Sequence, residues 1–269
     1  MDSQQDNSFD AIVVGGGHAG TEAAAAISRM GHKTLLLTHT KRTVGQMSCN
    51  PAIGGVGKGH LTKEIDAMGG LIARAADLAA IHIKKLNSSK GKAVQATRAQ
   101  ADRELYSKAI QAMIFNQENL AVFEAAASKL IIENNKIKGL VTEKGEKLFS
   151  KTLVLTVGTF LNGVMHTGTK QTKGGRKGDK PSLILAEQLL DLMPRTGRLK
   201  TGTPPRILKA SIDFERLEEQ KGDSPRPVFS FISSRDDHPK QVSCFITHTN
   251  QNTHEIIFGA LKDSPMYTG

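Results

Sequence analysis

Phe9-Asp10-Ala11-Ile12-Val13-Val14 runs directly into Gly15-Gly16-Gly17-His18-Ala19-Gly20, and an alanine-rich helical stretch over 21–30 follows. A buried strand, a glycine turn and a helix start within thirty residues constrain the fold more than any other feature of the chain. Gly15 permits the tight turn, Gly17 lets the backbone approach a pyrophosphate, and Gly20 lets the helix pack closely on the strand. The helix N-terminus then points amide hydrogens at an anion. With the return strand at 33–38, the unit is the phosphate-gripping half of a dinucleotide site in an α/β, Rossmann-like fold.

The ribose-binding acid expected about 20 residues past the glycines is missing. That slot holds Thr38, followed by His39 and Thr40, and Glu22 is the sole carboxylate between the glycines and it, placed in the first helix turn. A plain NAD dehydrogenase is therefore disfavoured, and Thr38 is the candidate for a ribose hydroxyl.

An apolar content of 38% without a long apolar run excludes a membrane-spanning class. The polar, acidic start lacks the features of a secretory or transit segment, which points to the cytoplasm. Cys49 and Cys244 stand far apart, so reduced thiols are expected rather than a disulfide framework. The net charge is +10, and residues 151–210 hold eleven Lys or Arg against three Asp or Glu. Lys170, Lys173, Arg176, Lys177 and Lys180 lie in one glycine-rich loop, with Arg195, Arg198, Lys200 and Arg206 close behind. Such loops suit a phosphate-backbone track, read through charge and shape because aromatic residues are scarce.

Along the chain, a glycine-dense loop over 45–59 precedes a helix over 60–68 and a short strand over 80–83. Residues 84–97 read as a polar connection, 98–115 as an amphipathic helix by apolar spacing, and 120–123 as a third parallel strand. Runs over 127–133, 137–143 and 147–149 form a β-meander, and 152–156 resumes a buried strand ending at Val157-Gly158-Thr159. A helix over 181–192 follows. From Gly202 the prolines multiply, with a strand over 242–247 and a helix over 253–261. The expected organisation is an FAD-binding domain over 1–201 and an inserted α/β domain over 202–269.

Cys49 is the candidate nucleophile. It lies in a glycine-rich loop between a nucleotide-binding strand and a helix, beside Asn50 and ahead of Lys58; helix termini and nearby cations favour the thiolate. Cys244 sits in an apolar strand and reads as structural. Gly57-Lys58 fails as an ATP-binding loop, because Ala52 and Gly59 occupy positions that require Gly and Ser or Thr. The nine histidines show no metal-ligand spacing, so no metal is expected.

Residues 15–24 and the loop Gly45-Gln46-Met47-Ser48-Cys49-Asn50-Pro51-Ala52-Ile53-Gly54-Gly55 closely resemble the MnmG (GidA) family of tRNA-modifying flavoproteins. Ala96-Thr97-Arg98-Ala99-Gln100-Ala101-Asp102-Arg103, residues 155–161 and Gly197-Arg198-Leu199-Lys200-Thr201-Gly202-Thr203-Pro204-Pro205-Arg206 extend the likeness from Phe9 to Gly269. The resemblance also accounts for the missing acid, since members read Thr-His after the second strand. It implies a two-dinucleotide-type FAD-binding fold in which Gly15, Gly16, Gly17, His18, Ala19 and Gly20 hold the pyrophosphate. Ala127 would meet the adenine end through its backbone, and Gly158 and Ser182 would approach the cofactor. Cys49 matches one of two family cysteines proposed to act in the chemistry.

The implied activity installs a carboxymethylaminomethyl or aminomethyl group on carbon 5 of the wobble uridine of certain tRNAs. Methylene-tetrahydrofolate supplies the one-carbon unit and NADH the reducing power; an MnmE-type GTPase is the partner, and members are homodimers. The family's second cysteine motif, Gly-Pro-x-Tyr-Cys-Pro-Ser, does not occur before Gly269. The expectation is therefore an N-terminal portion that binds FAD weakly or not at all and does not modify tRNA alone. Rival readings are a folate- and FAD-dependent tRNA uridine methyltransferase of the TrmFO type, a pyridine nucleotide-disulfide oxidoreductase, and a non-catalytic tRNA-binding or dimerisation fragment.

Overall fold

Strand β1 (Ser8–Val14) leads through the glycine turn into helix α1 (His18–Arg29) and strand β2 (Thr34–Thr38) in a computed structural model that describes residues 8–47, 50–175, 182–193, 195–202 and 204–268. Next come β3 (Ala52–Gly54), α2 (Lys58–Ala67), α3 (Ile72–Ala79), β4 (Ala80–Leu86) and β5 (Ala96–Ala101). Helix α4 (Arg103–Phe115) and strand β6 (Leu120–Glu124) return the chain to the first sheet. The meander β7 (Ala127–Glu133), β8 (Lys136–Thr142) and β9 (Lys147–Leu155) follows, then the hairpin β10 (Val164–Thr167) and β11 (Lys170–Lys173). Helix α5 (Leu183–Leu192), the strand pair β12 (Glu218–Gln220) and β13 (Cys244–Ile246), and helix α6 (Gln251–Gly259) complete the order used below.

The main sheet has the order β6-β2-β1-β9-β8-β7. Its first three pairings, β6 with β2, β2 with β1 and β1 with β9, are parallel; those among β7, β8 and β9 are antiparallel. Parallel strands covered on both faces read as continuous apolar runs, which is why all five residues of β2 are buried. The strand period of two divides the core. Val13 and Leu36 face a cluster with Ala24 of α1 and Ile110 and Ile114 of α4. Ile12, Val14, Leu35 and Leu37 face the opposite way, toward Leu185 and Leu189 of α5. This is the expected α/β, Rossmann-like sheet with its meander.

Several local expectations change. The runs expected at 147–149 and 152–156 merge into one strand, β9, which ends at Leu155 and pairs first with β8 and then with β1. The helix expected from residue 98 begins at Arg103, where the Asp102 carboxylate accepts the Glu104 and Leu105 amides at 2.9 Å each. Before it, β5 forms a three-stranded antiparallel sheet in the order β3-β5-β4, so the supposed connection over 84–97 is partly strand. Its inner face buries Ile53, Ile83 and Ala99. Helix α3, which the apolar spacing did not announce, is buried on nearly all sides. Glu22 lies one residue beyond the first turn of α1, and its Oε1 accepts the Leu71 and Ile72 amides at 2.8 and 2.6 Å. It thus caps α3.

The proline-rich segment is fastened to this second sheet and its helices. Asp77 of α3, fully buried, accepts the Phe229 and Ser230 amides at 2.8 and 2.9 Å and faces His238 Nε2 at 3.3 Å. Asp66 accepts Ser230 Oγ and the Phe231 amide, while Lys63 Nζ donates to the Val228 and Phe229 carbonyls. The Lys85 amide donates to Asp223, and His82 Nε2 lies 3.2 Å from the Gln220 carbonyl. Residues 220–241 therefore form a strap held by buried charge.

Candidate cofactor site

The carboxyl ends of β1, β2, β6 and β9 meet at the glycine turn. Gly15 adopts φ +112°, and a Cβ there would stand 2.4 Å from the Thr156 carbonyl oxygen. The Gly15 amide donates to the Leu37 carbonyl, and Thr156 Oγ1 donates to the Val14 carbonyl at 2.8 Å. A Cβ on Gly20 would meet the Gly15 oxygen at 1.7 Å, so only glycine lets α1 approach the strand this closely. Gly16 is confined by Thr38 Oγ1, 2.8 Å from its Cβ position. Gly17 differs, because a Cβ there meets nothing within 4 Å.

Gly17 is also the N-cap of α1, where no side chain caps the helix and no acid lies in the first turn. Helix geometry leaves the first amides without intrahelical partners, and the aligned peptide dipoles place partial positive charge there. An open, uncapped helix N-terminus over an exposed glycine is what a pyrophosphate requires, so these residues fit a dinucleotide.

His18 and Ala19 begin that first turn. His18 Nδ1 lies 3.0 Å from the Tyr106 hydroxyl, with the rings edge to face at 5.4 Å. Burial first, and then the charge of Lys58, push the His18 pKa down to about 4. Burial and the Glu22 charge push the Tyr106 phenol upward. The pair is therefore neutral at physiological pH and adds no fixed charge to the turn. Tyr106 was invisible as a site residue in sequence, since it lies 88 positions from His18 inside an apolar helix face.

Thr38 is buried, and its carbonyl accepts the Ala125 amide, which brings β6 and the start of β7 to the same edge. Ala127, buried at that start, pairs with Thr142. Gly158, with φ +57°, follows the end of β9. The Ser182 amide donates to the Phe160 carbonyl at 2.9 Å, which ties the start of α5 to the turn beyond Gly158. His39, adjacent to Thr38, packs against the Phe160 ring at 5.2 Å. The structure thus gathers Gly15 to Gly20, Thr38, Ala127, Gly158 and Ser182 along one sheet edge and its adjoining turns.

Cys49 lies outside the described residues, together with Ser48, residues 176–181, Pro194, Thr203 and Gly269. The described ends of its loop are anchored. Arg103 Nη2 donates to the Met47 carbonyl at 2.6 Å, and the Ala101 amide donates to the Pro51 carbonyl at 2.7 Å. Cys244 is half-buried on β13; burial raises its pKa while Arg98 and Lys84 oppose that shift. Of the basic loop, Lys170 and Lys173 are exposed on the β10–β11 hairpin, whereas Arg176, Lys177 and Lys180 fall outside the described residues. No helix among the described residues is long and apolar enough to cross a membrane.

The family described as Glucose inhibited division protein A matches residues 10–269. The chain belongs to the GidA family. GidA from Aquifex aeolicus, solved in crystal forms I and II, is 44% identical, with TM-scores of 0.91 and 0.88 over 97% and 96% of this chain. The match covers 45% and 44% of those two chains, so this chain spans less than half the length of the GidA structures it resembles. The GidA-related protein from Thermus thermophilus shares the fold at 21% identity and a TM-score of 0.51, over 69% of this chain and 68% of its own.

Proposed function

We propose that the chain is the FAD-binding part of a tRNA-modifying flavoenzyme that alters carbon 5 of the wobble uridine. The observation that carries this reading is the uncapped α1 N-terminus above the glycine turn, in a chain that belongs to the GidA family. The first-turn amides and Gly15 to Gly20 hold the pyrophosphate, Thr38 meets a ribose hydroxyl, and the Ala127 backbone meets the adenine. Gly158 and Ser182 line the far side of the cofactor. Neutral His18 keeps a second buried charge away from the turn and leaves the anion to the backbone amides. Bound there, the flavin supplies electron transfer to the reaction.

Cys49 is assigned the nucleophile's role. Carbon 5 of uridine is a poor nucleophile until a thiolate adds to carbon 6, which makes carbon 5 electron-rich enough to attack a one-carbon electrophile. Loss of the carbon-5 proton and expulsion of the thiolate then restore the ring. Methylene-tetrahydrofolate as donor, NADH as reductant, an MnmE-type GTPase partner, a homodimeric assembly and a cytoplasmic location complete the proposal. So does the division into an FAD-binding unit over 1–201 and an inserted unit over 202–269.

The test uses tRNA, FAD, NADH, methylene-tetrahydrofolate and the GTPase with the full-length protein, read by mass analysis of the wobble nucleoside. A carboxymethylaminomethyl or aminomethyl adduct that disappears in Cys49→Ala supports the assignment. Full modification by Cys49→Ala refutes the role of this thiol, and 5-methyluridine as the sole product favours a methyltransferase.

A further inference from the structure

The face of the three-stranded sheet opposite Ile53, Ile83 and Ala99 carries a guanidinium that no described residue pairs. Register places Arg98 of β5 directly opposite Lys84 of β4 on one side and Gly54 of β3 on the other. Opposed like charges destabilise a sheet, so such a pair persists where something else holds it. Lys84 has a counter-charge in Asp223 at 3.7 Å, but that carboxylate also accepts the Lys85 amide. Among the described residues, the Arg98 guanidinium has neither an ion pair nor a hydrogen bond. Gln100, two residues along the same face and opposite Ala52 and His82, likewise has an amide that no described residue bonds.

The charge around the pair suits an anion. A Cβ on Gly55, itself buried, would lie 3.8 Å from Arg98 Nη1, so the half-buried guanidinium packs beside the glycine loop. Lys58, at the start of α2, has its pKa lowered by desolvation and then by Arg98, which places a second cation beside the first. The strand pair β12–β13 borders the same face, since Cys244 feels both Arg98 and Lys84 and His82 reaches Gln220. Lys58 Nζ donates to the Ala52 carbonyl at 3.4 Å, and Ala52 stands opposite Gln100, so this cation is tied to the same sheet.

We propose that Arg98 and Gln100 form a phosphate-binding floor, distinct from the glycine turn, that receives a backbone phosphodiester of the RNA substrate. A planar guanidinium beside a side-chain amide offers the forked donor set that phosphate oxygens accept. Contacts of this kind position a nucleic acid without reading its sequence. The inference rests on RNA being the substrate.

The experiment titrates the full-length protein with tRNA over a series of salt concentrations and, separately, with FAD. Arg98→Gln is expected to weaken tRNA binding several-fold at low salt and to reduce the slope of log K against log salt by roughly 0.7 to 1. FAD affinity should be unchanged. Arg98→Lys should keep most of the slope, and Lys108→Gln, on an exposed lysine paired with Glu104, should alter neither titration. An unchanged tRNA slope in Arg98→Gln overturns the proposal, as does a loss confined to FAD, which would assign the floor to the cofactor. Failure of the unsubstituted protein to bind tRNA at any salt defeats the RNA reading itself, and this proposal with it.

Discussion

Replacing Asp77 tests whether the proline-rich strap is held by buried charge. Its carboxylate has no solvent exposure and is the acceptor for two buried backbone amides, those of Phe229 and Ser230. Asp77→Ala strands both donors, and each unsatisfied buried amide costs about 1–3 kcal/mol. The combined loss is expected at roughly 3–5 kcal/mol, the scale found when one partner of a buried charged network is removed. Against a total stability of about 5–15 kcal/mol, that change is large. Asp77→Asn keeps one acceptor oxygen but turns an NH2 group toward the other donor, so about half the loss is expected. Urea unfolding measures the change, and limited proteolysis over 220–241 locates it. Asp66 shares Ser230 with Asp77, so an Asp66→Ala, Asp77→Ala cycle should show coupling of about 0.5–3 kcal/mol. If Asp77→Ala stays within about 0.5 kcal/mol of the parent with an unchanged cleavage pattern, the carboxylate does not hold the strap, and this reasoning is wrong.

Two glycines should separate packing from ligand approach. Gly20→Ala drives a methyl into the Gly15 carbonyl and is expected to cost at least about 1–3 kcal/mol, with loss of flavin binding. Gly17→Ala faces open space at φ −79°, so stability should stay within about 0.5 kcal/mol while FAD affinity falls, read by flavin fluorescence. His18 gives a pH signature. Its folded pKa of about 4 lies below the usual 6.5, so the unfolded chain binds more protons between those values. Its contribution is therefore present above about pH 6.5 and is lost as pH falls toward 4. Urea midpoints across this window should fall less steeply in His18→Gln, and equal slopes would show that the imidazole is not desolvated.

What the sequence disclosed is what neighbouring residues decide among themselves. The strand, the glycine turn and α1 lie within thirty positions, and each glycine answers a steric demand made by an adjacent element, so their pattern is readable without knowing the rest. Residues 96–101 show the opposite case. Three alanines in six positions favour a helix and continue the apolar spacing of α4, yet pairing with β3 and β4 makes them a strand. The Asp102 cap was the local sign that the helix starts later. Helix α3 went unseen because its eight residues, with Arg74 and Asp77 one turn apart, are too short a span for the period to declare itself. Nothing local marks Asp77 as buried, because the strap that covers it comes from more than 150 positions away. The same distinction governs the site. Glycines that cradle a phosphate are legible by spacing, but the partners that set its electrostatics, Tyr106 beside His18 and Arg98 opposite Lys84, meet only through tertiary pairing. A strand reading of 96–101 would have put Arg98 and Gln100 on one face from the sequence alone, because alternation fixes that much. Where that face points is decided by β3 and β4, and the register that carries Lys84 to Arg98 is the step by which a buried scaffold becomes a charged surface.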